Sequence, residues 1–367
     1  MKDVRKILFK VHGYLALLAL IPIILIALTG SLLVFKFELD SLLLSDRAII
    51  SEAGQNRMPM NQLVAGVNRS NPDYEIGSWE LFDDGYEADR VYLIKTGTEQ
   101  WYKLFLNPYT GKMLSKPEII NHYFTDWLLE VHYTLLLNDL WHEQPQLGTL
   151  IGLIVAIMLT FLGVSGLIIY RKFWRKILTF KPGKNRQTQY REIHRQVGIW
   201  SSPIFLIIGM TGIYFNLVEF LHEQEEHADG AGHYIMETRL YNDQVNFDEM
   251  LLESQRKLSG FKPTYFLFPY EPELHFTIFG EVPTMNIFAS EYGSTVSFDK
   301  QTAAFISAYD IREQSFVNKL VDSLRELHFG NFAGLYSKVP YAIVGVGILV
   351  SCISGLLMWL RRKRILQ

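Results

Sequence analysis

Two histidines, His12 and His194, each stand at the basic mouth of a long apolar run, and each run contains a Thr-Gly pair: Thr29-Gly30 in the first, Thr211-Gly212 in the second. The glycine follows its histidine by the same 18 residues in both copies (30 − 12 and 212 − 194). Two more histidines end a second shared signature, Leu128-Leu129-Glu130-Val131-His132 and Leu324-Arg325-Glu326-Leu327-His328. Each of these is followed by an apolar run carrying Ser-Gly-Leu, at Ser165–Leu167 and Ser354–Leu356.

Paired imidazoles beside apolar helices admit three chemistries. Haem iron takes two axial imidazoles from opposite faces, and facing helices supply a flat apolar slot around it. A chain of intramembrane histidines can also relay protons. Zinc fits less well, because it wants four ligands in one place and the two pairs are expected far apart. A single interfacial histidine is more often a hydrogen-bonded group than a ligand, but four at two matching pairs of positions favour haem. From His12 to Gly30 a straight helix rises about 27 Å, so one group could not reach both pairs and two would be needed.

The elements that must hold these residues are membrane spans. The chain has 367 residues and is 49% hydrophobic. Four runs meet the roughly 20 residues a bilayer requires: Gly13–Phe37, Leu147–Tyr170, Val197–Phe220 and Val339–Leu360. The first is too long for a signal peptide and lacks a small-residue cleavage motif, so it is expected to be retained. Charge gives the direction. Residues 171–195 hold nine Lys/Arg against one acid, and the chain ends Arg361-Arg362-Lys363-Arg364, whereas 38–146 holds 17 acids to 8 bases and 219–338 holds 19 to 9. Basic loops stay inside, which puts both termini and the 171–196 loop in the cytoplasm and two acidic segments outside.

The expected order is a first span within 1–37, an outer domain over 38–146, a second span over 147–170, a basic loop over 171–196, and a third span over 197–220. A second outer domain over 221–338 and a last span within 339–367 complete it. Each outer domain combines a short helix, Met60–Asn71 or Phe247–Leu258, with strand-like runs. These lie at Glu75–Phe82, Arg90–Lys95 and Trp101–Leu106 in the first domain, and at Thr264–Pro269, Leu274–Phe279, Met285–Ser290 and Ser294–Phe298 in the second. The turn Asn107-Pro108-Tyr109-Thr110-Gly111 has its counterpart in Asp299-Lys300-Gln301-Thr302-Ala303, without proline or glycine. Helices at Phe124–Leu140 and Phe316–Phe329 should lie at the outer interface. The expected fold is therefore a membrane four-helix bundle with two extracytoplasmic α+β domains and an internal two-fold repeat, its halves related by an axis along the membrane normal.

The remaining chemistry is sparse. Cys352 is the only cysteine and lies in the last span, which excludes intrachain disulfides and iron–sulfur ligation. His222, His227 and His233 follow the third span in an acidic, glycine-containing stretch without zinc-enzyme spacing, and a solvated linker is the simplest reading. His122, His142 and His275 have no counterpart in the other half. No nucleotide-binding glycine loop is present, so an electron donor would be a separate partner, and nothing points to nucleic acid.

These motifs together resemble the PepSY-associated transmembrane family, which includes iron-regulated inner-membrane proteins and ferric-siderophore reductases. The likeness rests on His12-Gly13, His194-Arg195-x-x-Gly198, the two Leu-x-Glu-apolar-His signatures and the Asn107–Gly111 turn of a PepSY-like domain. It implies a multi-pass protein of the bacterial inner membrane carrying two haem b groups on His12, His194, His132 and His328. It further implies electron delivery from a cytoplasmic donor to a periplasmic ferric siderophore or other ferric chelate. Against this stand a non-enzymatic anchor whose PepSY-like domains bind peptides or regulate a protease, and a small transporter with a histidine proton relay.

Overall fold

The computed structural model describes residues 2–51, 56–138, 146–170, 185–228 and 234–363. His142, His233, Trp141, most of the basic loop and the side chain of His227 fall outside this description. The chain divides into two compact units: residues 1–36, 125–229 and 327–367 form one, and residues 37–124 and 230–326 the other.

The helical unit contains α1 (Lys2–Leu18), α2 (Leu20–Leu33), α5 (Phe124–Thr134), α6 (Leu147–Ile169), α7 (Arg186–Ala228), the last turn of α9 (Phe316–Phe329) and α10 (Leu335–Arg362). Three of these, α6, α7 and α10, are long and apolar enough to cross a bilayer, and α1 with α2 makes a fourth if the bent pair is one span. The first run was expected to be a single span. It bends by 67° at Ala19. Pro22 explains this: its ring clashes with the carbonyl four residues back, at Leu18, and it offers no N–H to bond there.

Proline also lies inside α7, at Pro203, yet that helix continues unbroken. The carbonyl that Pro203 orphans is that of Ile199, and the Ser202 hydroxyl donates to it at 2.8 Å. The third span is thereby part of a helix that runs to Ala228, so the stretch expected to be a linker after Phe220 starts as helix and His222 sits on it.

Small residues set the helix approach. A Cβ at Gly209 would run into Thr160, one at Gly347 into Ser201 and one at Gly345 into Ser31. Ala19, Ile23, Ala27, Val155, Leu159, Val344 and Ile348 fill the space between.

The other unit is built on one antiparallel sheet of eight strands in the order β4-β3-β2-β1-β5-β6-β7-β8. The first-half strands are β1 (Tyr74–Glu80), β2 (Asp89–Lys95), β3 (Trp101–Leu106) and β4 (Glu118–Ile119). The second-half strands are β5 (Lys262–Leu267), β6 (Phe276–Glu281), β7 (Ser294–Phe298) and β8 (Phe305–Tyr309). Where the sequence suggested two outer domains, β1 pairs with β5 in the register Trp79↔Phe266, and the two sets share a sheet. Each set alone would leave an open central edge, and pairing closes both.

Helix α3 (Lys36–Leu43) leads into this unit, and the helices α4 (Met60–Ser70) and α8 (Phe247–Lys257) bury Met60, Leu63, Val64, Val67, Phe247 and Met250 in one core with Trp79, Phe266, Phe268 and Phe276. Their first turns satisfy each other's free amides. Asp248 accepts from the Met60 and Asn61 amides at 2.5 and 3.1 Å, and the Asn61 side chain accepts from the Phe247 amide at 2.8 Å.

Two strand expectations need correction. Met285–Ser290 is not a strand; Pro283 precedes it and the Asn286 side chain accepts from the Phe288 amide, turning the chain. The fourth strand of that half is instead Phe305–Tyr309. Between them, Asp299 rebuilds the first-half turn without its proline and glycine. Asn107 Oδ1 accepts from the amides of Tyr109 and Thr110, and Asp299 Oδ1 accepts from those of Gln301 and Thr302. Gly111 has φ 69° and Ala303 φ 56°, so alanine takes a conformation that favours glycine. The expected interfacial helix at Phe124–Leu140 stops at Thr134, where Leu135 and Leu136 turn left-handed.

Arg90 on β2 bonds both Glu80, at 2.7 Å, and Glu87, at 2.9 Å, so two half-buried carboxylates share one guanidinium. Burial pushes the Glu87 carboxyl up to about 7; Arg90 opposes this, and Asp84, Glu80 and Glu291 add to it. The folded state then keeps a proton that the unfolded chain releases near 4.5, so this group costs stability as pH rises from 4.5 through 7. The cost reaches at most ~3 kcal/mol. Hydrogen exchange of β2 amides in the full chain, corrected for intrinsic rates, should show wild-type protection falling across that window, and Glu87→Gln should flatten the fall.

Candidate functional site

All four sequence-selected histidines belong to the helical unit, and they meet in two pairs. His12 on α1 and His194 on α7 have ring centroids 6.3 Å apart at an interplanar angle of 88°. His132 in the last turns of α5 and His328 near the end of α9 have centroids 6.3 Å apart at 60°. The pairing expected from the sequence is the pairing observed.

Each ring is held by its Nδ1. His194 Nδ1 lies 2.9 Å from the Ser351 carbonyl and 3.3 Å from the Ser354 hydroxyl. His132 Nδ1 lies 3.0 Å from the Ile26 carbonyl and 3.1 Å from the Thr29 hydroxyl. A carbonyl only accepts, so in these two rings Nδ1 carries the proton.

The other two rings face hydroxyls: Ser165 lies 2.8 Å from His12 Nδ1, and Thr211 lies 2.7 Å from His328 Nδ1. All four rings are thus anchored through Nδ1. In His132 and His194, where a carbonyl fixes the proton on Nδ1, Nε2 keeps its lone pair, as in metal-binding histidines whose other nitrogen is hydrogen-bonded.

A glycine lies opposite each ring. A Cβ at Gly30 would come 2.8 Å from His132 Cε1, and one at Gly355 would come 3.5 Å from His194 Cε1. The corresponding approaches are 3.7 Å for Gly166 to His12 and 3.8 Å for Gly212 to His328. The Thr-Gly spacing seen in the sequence thus has a local meaning: threonine fixes the nitrogen and glycine makes room for the ring. Ser165 and Ser354 do the first of these jobs at the other pair, a role that the repeated Ser-Gly-Leu left unassigned.

Among the described residues no three His, Cys, Asp or Glu side chains are grouped to hold a metal ion. The histidines are assembled as two pairs, and in each the ring centroids stand 6.3 Å apart, so both imidazoles of a pair could hold one group between them. With the 67° bend, His12 and Gly30 are separated by about 23 Å rather than the straight-helix figure. The two pairs remain distinct sites.

The other described histidines do not join them. His122 sits 3.8 Å from Glu118, and His275 sits 3.6 Å from Asp299, both in the sheet unit. His222 is on α7, 28 residues beyond His194, or about 42 Å along the helix.

The sequence matches the family described as PepSY-associated TM region over residues 9–362. The chain belongs to that family. No curated protein matches it. Membership agrees with the apolar helices in making this a membrane protein, and the match takes in all four histidines of this PepSY-associated TM chain.

The glycine cradles are unequal, which gives this PepSY-associated TM protein a sharp test of ring placement. Gly30→Ala must displace His132, because 2.8 Å is closer than a methyl carbon tolerates, and should cost about 1–3 kcal/mol. Gly212→Ala leaves 3.8 Å to His328 and should be nearly neutral. Thermal unfolding of the two variants in the same detergent compares them directly.

Proposed function

We propose that the chain is a di-haem membrane oxidoreductase, with two haem b groups carried by the pairs His12/His194 and His132/His328. The observation that carries this reading is the match between the pairs: the same centroid separation, the same hydrogen-bonded nitrogen, and a glycine facing every ring. An internal two-fold repeat forming a four-helix bundle accounts for that match. Haem bound at these sites supplies a one-electron couple.

The protein's share is position and environment. Ser165, Ser354, Thr29 and Thr211 fix the ring orientation and leave Nε2 as the donor atom. Hydrogen bonding at Nδ1 also raises imidazole basicity, which tunes any bound metal. Gly30, Gly166, Gly212 and Gly355 keep the helix surface low beside each ring. The apolar helices around them exclude water.

The basic termini and loop favour an inner-membrane orientation with cytoplasmic ends, so the His12/His194 pair lies on the inner side and the His132/His328 pair on the outer. In that orientation a separate cytoplasmic reductant provides the electron. The acceptor outside is a ferric siderophore or other ferric chelate: one electron converts Fe(III) to Fe(II), which hard oxygen chelators hold weakly, and the chelator is released.

Protein purified from haem-sufficient cells should be red, with a Soret band that shifts on dithionite reduction and two haems per chain by pyridine haemochrome. His12→Ala and His194→Ala should each leave one haem with one and the same spectrum, while His132→Ala and His328→Ala should each leave the other. A colourless preparation would overturn the proposal. Loss of different haems from His12→Ala and His194→Ala would overturn the pairing.

A further inference from the structure

Arg195 departs from the duplicated plan of the chain. Counting from each histidine, its place is held by Gly13 in the first copy, and the place of Glu192 is held by Lys10. The ion pair that these two residues form therefore belongs to one half only. Arg195 Nη2 lies 2.5 Å from a Glu192 carboxylate oxygen, one turn back on α7.

The pair stands close to the His12/His194 site and largely out of water. The side chains are 10% exposed for Arg195 and 18% for Glu192. Arg195 follows His194 directly in the chain and reaches across to α6, where Nη1 donates to the Tyr170 hydroxyl at 2.6 Å and the guanidinium carbon lies 5.1 Å from the ring centre. Tyr170 closes the last turn of α6, its amide bonded to the Gly166 carbonyl at 3.0 Å. Gly166 and Ser165 are the residues that receive the His12 ring. One contact from α7 to α6 thus sits beside the residue that carries one ring and one turn from the residues that hold the other.

Stability alone does not account for such a pair, because removing two charges from water costs about as much as their attraction returns. Its reach is the more telling property. Charges shielded from water are poorly screened and act over longer distances than surface charges do. Beside a one-electron couple, a cation disfavours the more positive, oxidised state, and a carboxylate favours it. Within the intact pair the two influences oppose each other.

We propose that Arg195 and Glu192 set the reduction potential of the haem held by His12 and His194, Arg195 raising it and Glu192 lowering it. Tyr170 is a positioning residue that keeps the guanidinium at the site. This inference rests on the di-haem reading and adds to it the charges that control one of the two couples.

The test is a spectroelectrochemical titration of the full chain in nanodiscs, with the two haems told apart by comparison with His132→Ala. Arg195→Gln should shift the potential of the His12/His194 haem downward, and Glu192→Gln should shift the same haem upward, while the other haem stays in place. Arg195→Lys, which keeps the charge, should stay closer to wild type than Arg195→Gln. Tyr170→Phe, which keeps the ring and the charge but removes the hydroxyl, should move the potential little even if the melting temperature falls. Should Arg195→Gln lose its haem, the upward shift in Glu192→Gln decides the matter. Unmoved potentials in a red protein, shifts of the same sign in the two charge variants, or a shift in Tyr170→Phe as large as that in Arg195→Gln would overturn this inference alone. A colourless wild-type protein would overturn the di-haem reading, and this inference with it.

Discussion

Four imidazoles packed among apolar helices each need a hydrogen-bond partner at Nδ1, and this need organises the helical unit. Leaving a buried polar nitrogen unpaired costs about 1–3 kcal/mol, so every histidine demands a partner from a neighbouring helix at a fixed height. The partners are few: Ser165, the Ser351 carbonyl with Ser354, the Ile26 carbonyl with Thr29, and Thr211. Each comes from a different helix than its histidine. The bonds therefore set helix register and ring orientation at once, and the same contact that stabilises the bundle defines the nitrogen left free for chemistry.

The sheet unit follows a comparable economy. Its two halves use the same parts, and their shared edge turns two small assemblies into one core. Asp248 and Asn61 show how closely the halves depend on each other, since each helix supplies the groups that satisfy the other's first turn. A half-sheet alone would keep neither its central edge nor its helix cap. Trp79 and Phe266, cross-strand neighbours on β1 and β5, are both fully buried at the seam.

Much of this could be read from residue order. The duplicated His and Thr-Gly spacing picked out the residues that meet, and the charge partition separated apolar from acidic segments. Strands β1, β2, β3 and β7 fell close to where their apolar and aromatic runs put them: β2 and β7 alternate with one face in the core, while β1 and β3 each bury four consecutive residues. The merging of the two acidic segments was not legible: an open strand edge has no residue signature, and pairing of β1 with β5 joins residues almost 190 positions apart. Strand β8 was missed because all five of its residues are exposed and it carries no buried face to give a period. The turn at Asp299 was underrated because its proline and glycine are absent, yet one carboxylate oxygen makes the bonds that define it. Ser165 and Ser354 were visible as a repeated motif, but which neighbour a serine bonds depends on helix packing and cannot be read from its own helix.

The two prolines show how one site geometry survives different backbones. At its histidine end α1 lies against α6, where His12 meets Ser165 and Gly166; past the bend, α2 lies against α10, where Ser31 faces Gly345. Helix α7 makes the opposite crossing, from α10 at His194 and Gly355 to α6 at Gly209 and Gly212. Each histidine-bearing run thus changes neighbour along its length. The first does so by a sharp bend at Ala19, forced by Pro22. The second does so as a continuous helix, because Ser202 takes up the carbonyl that Pro203 leaves free. The crossing itself is what both must achieve, since it brings one histidine beside a serine helix and presents a Thr-Gly step to another histidine farther along. Glycine at each contact point keeps the approach close whether the path is bent or straight, and the ring separation comes out equal at the two pairs.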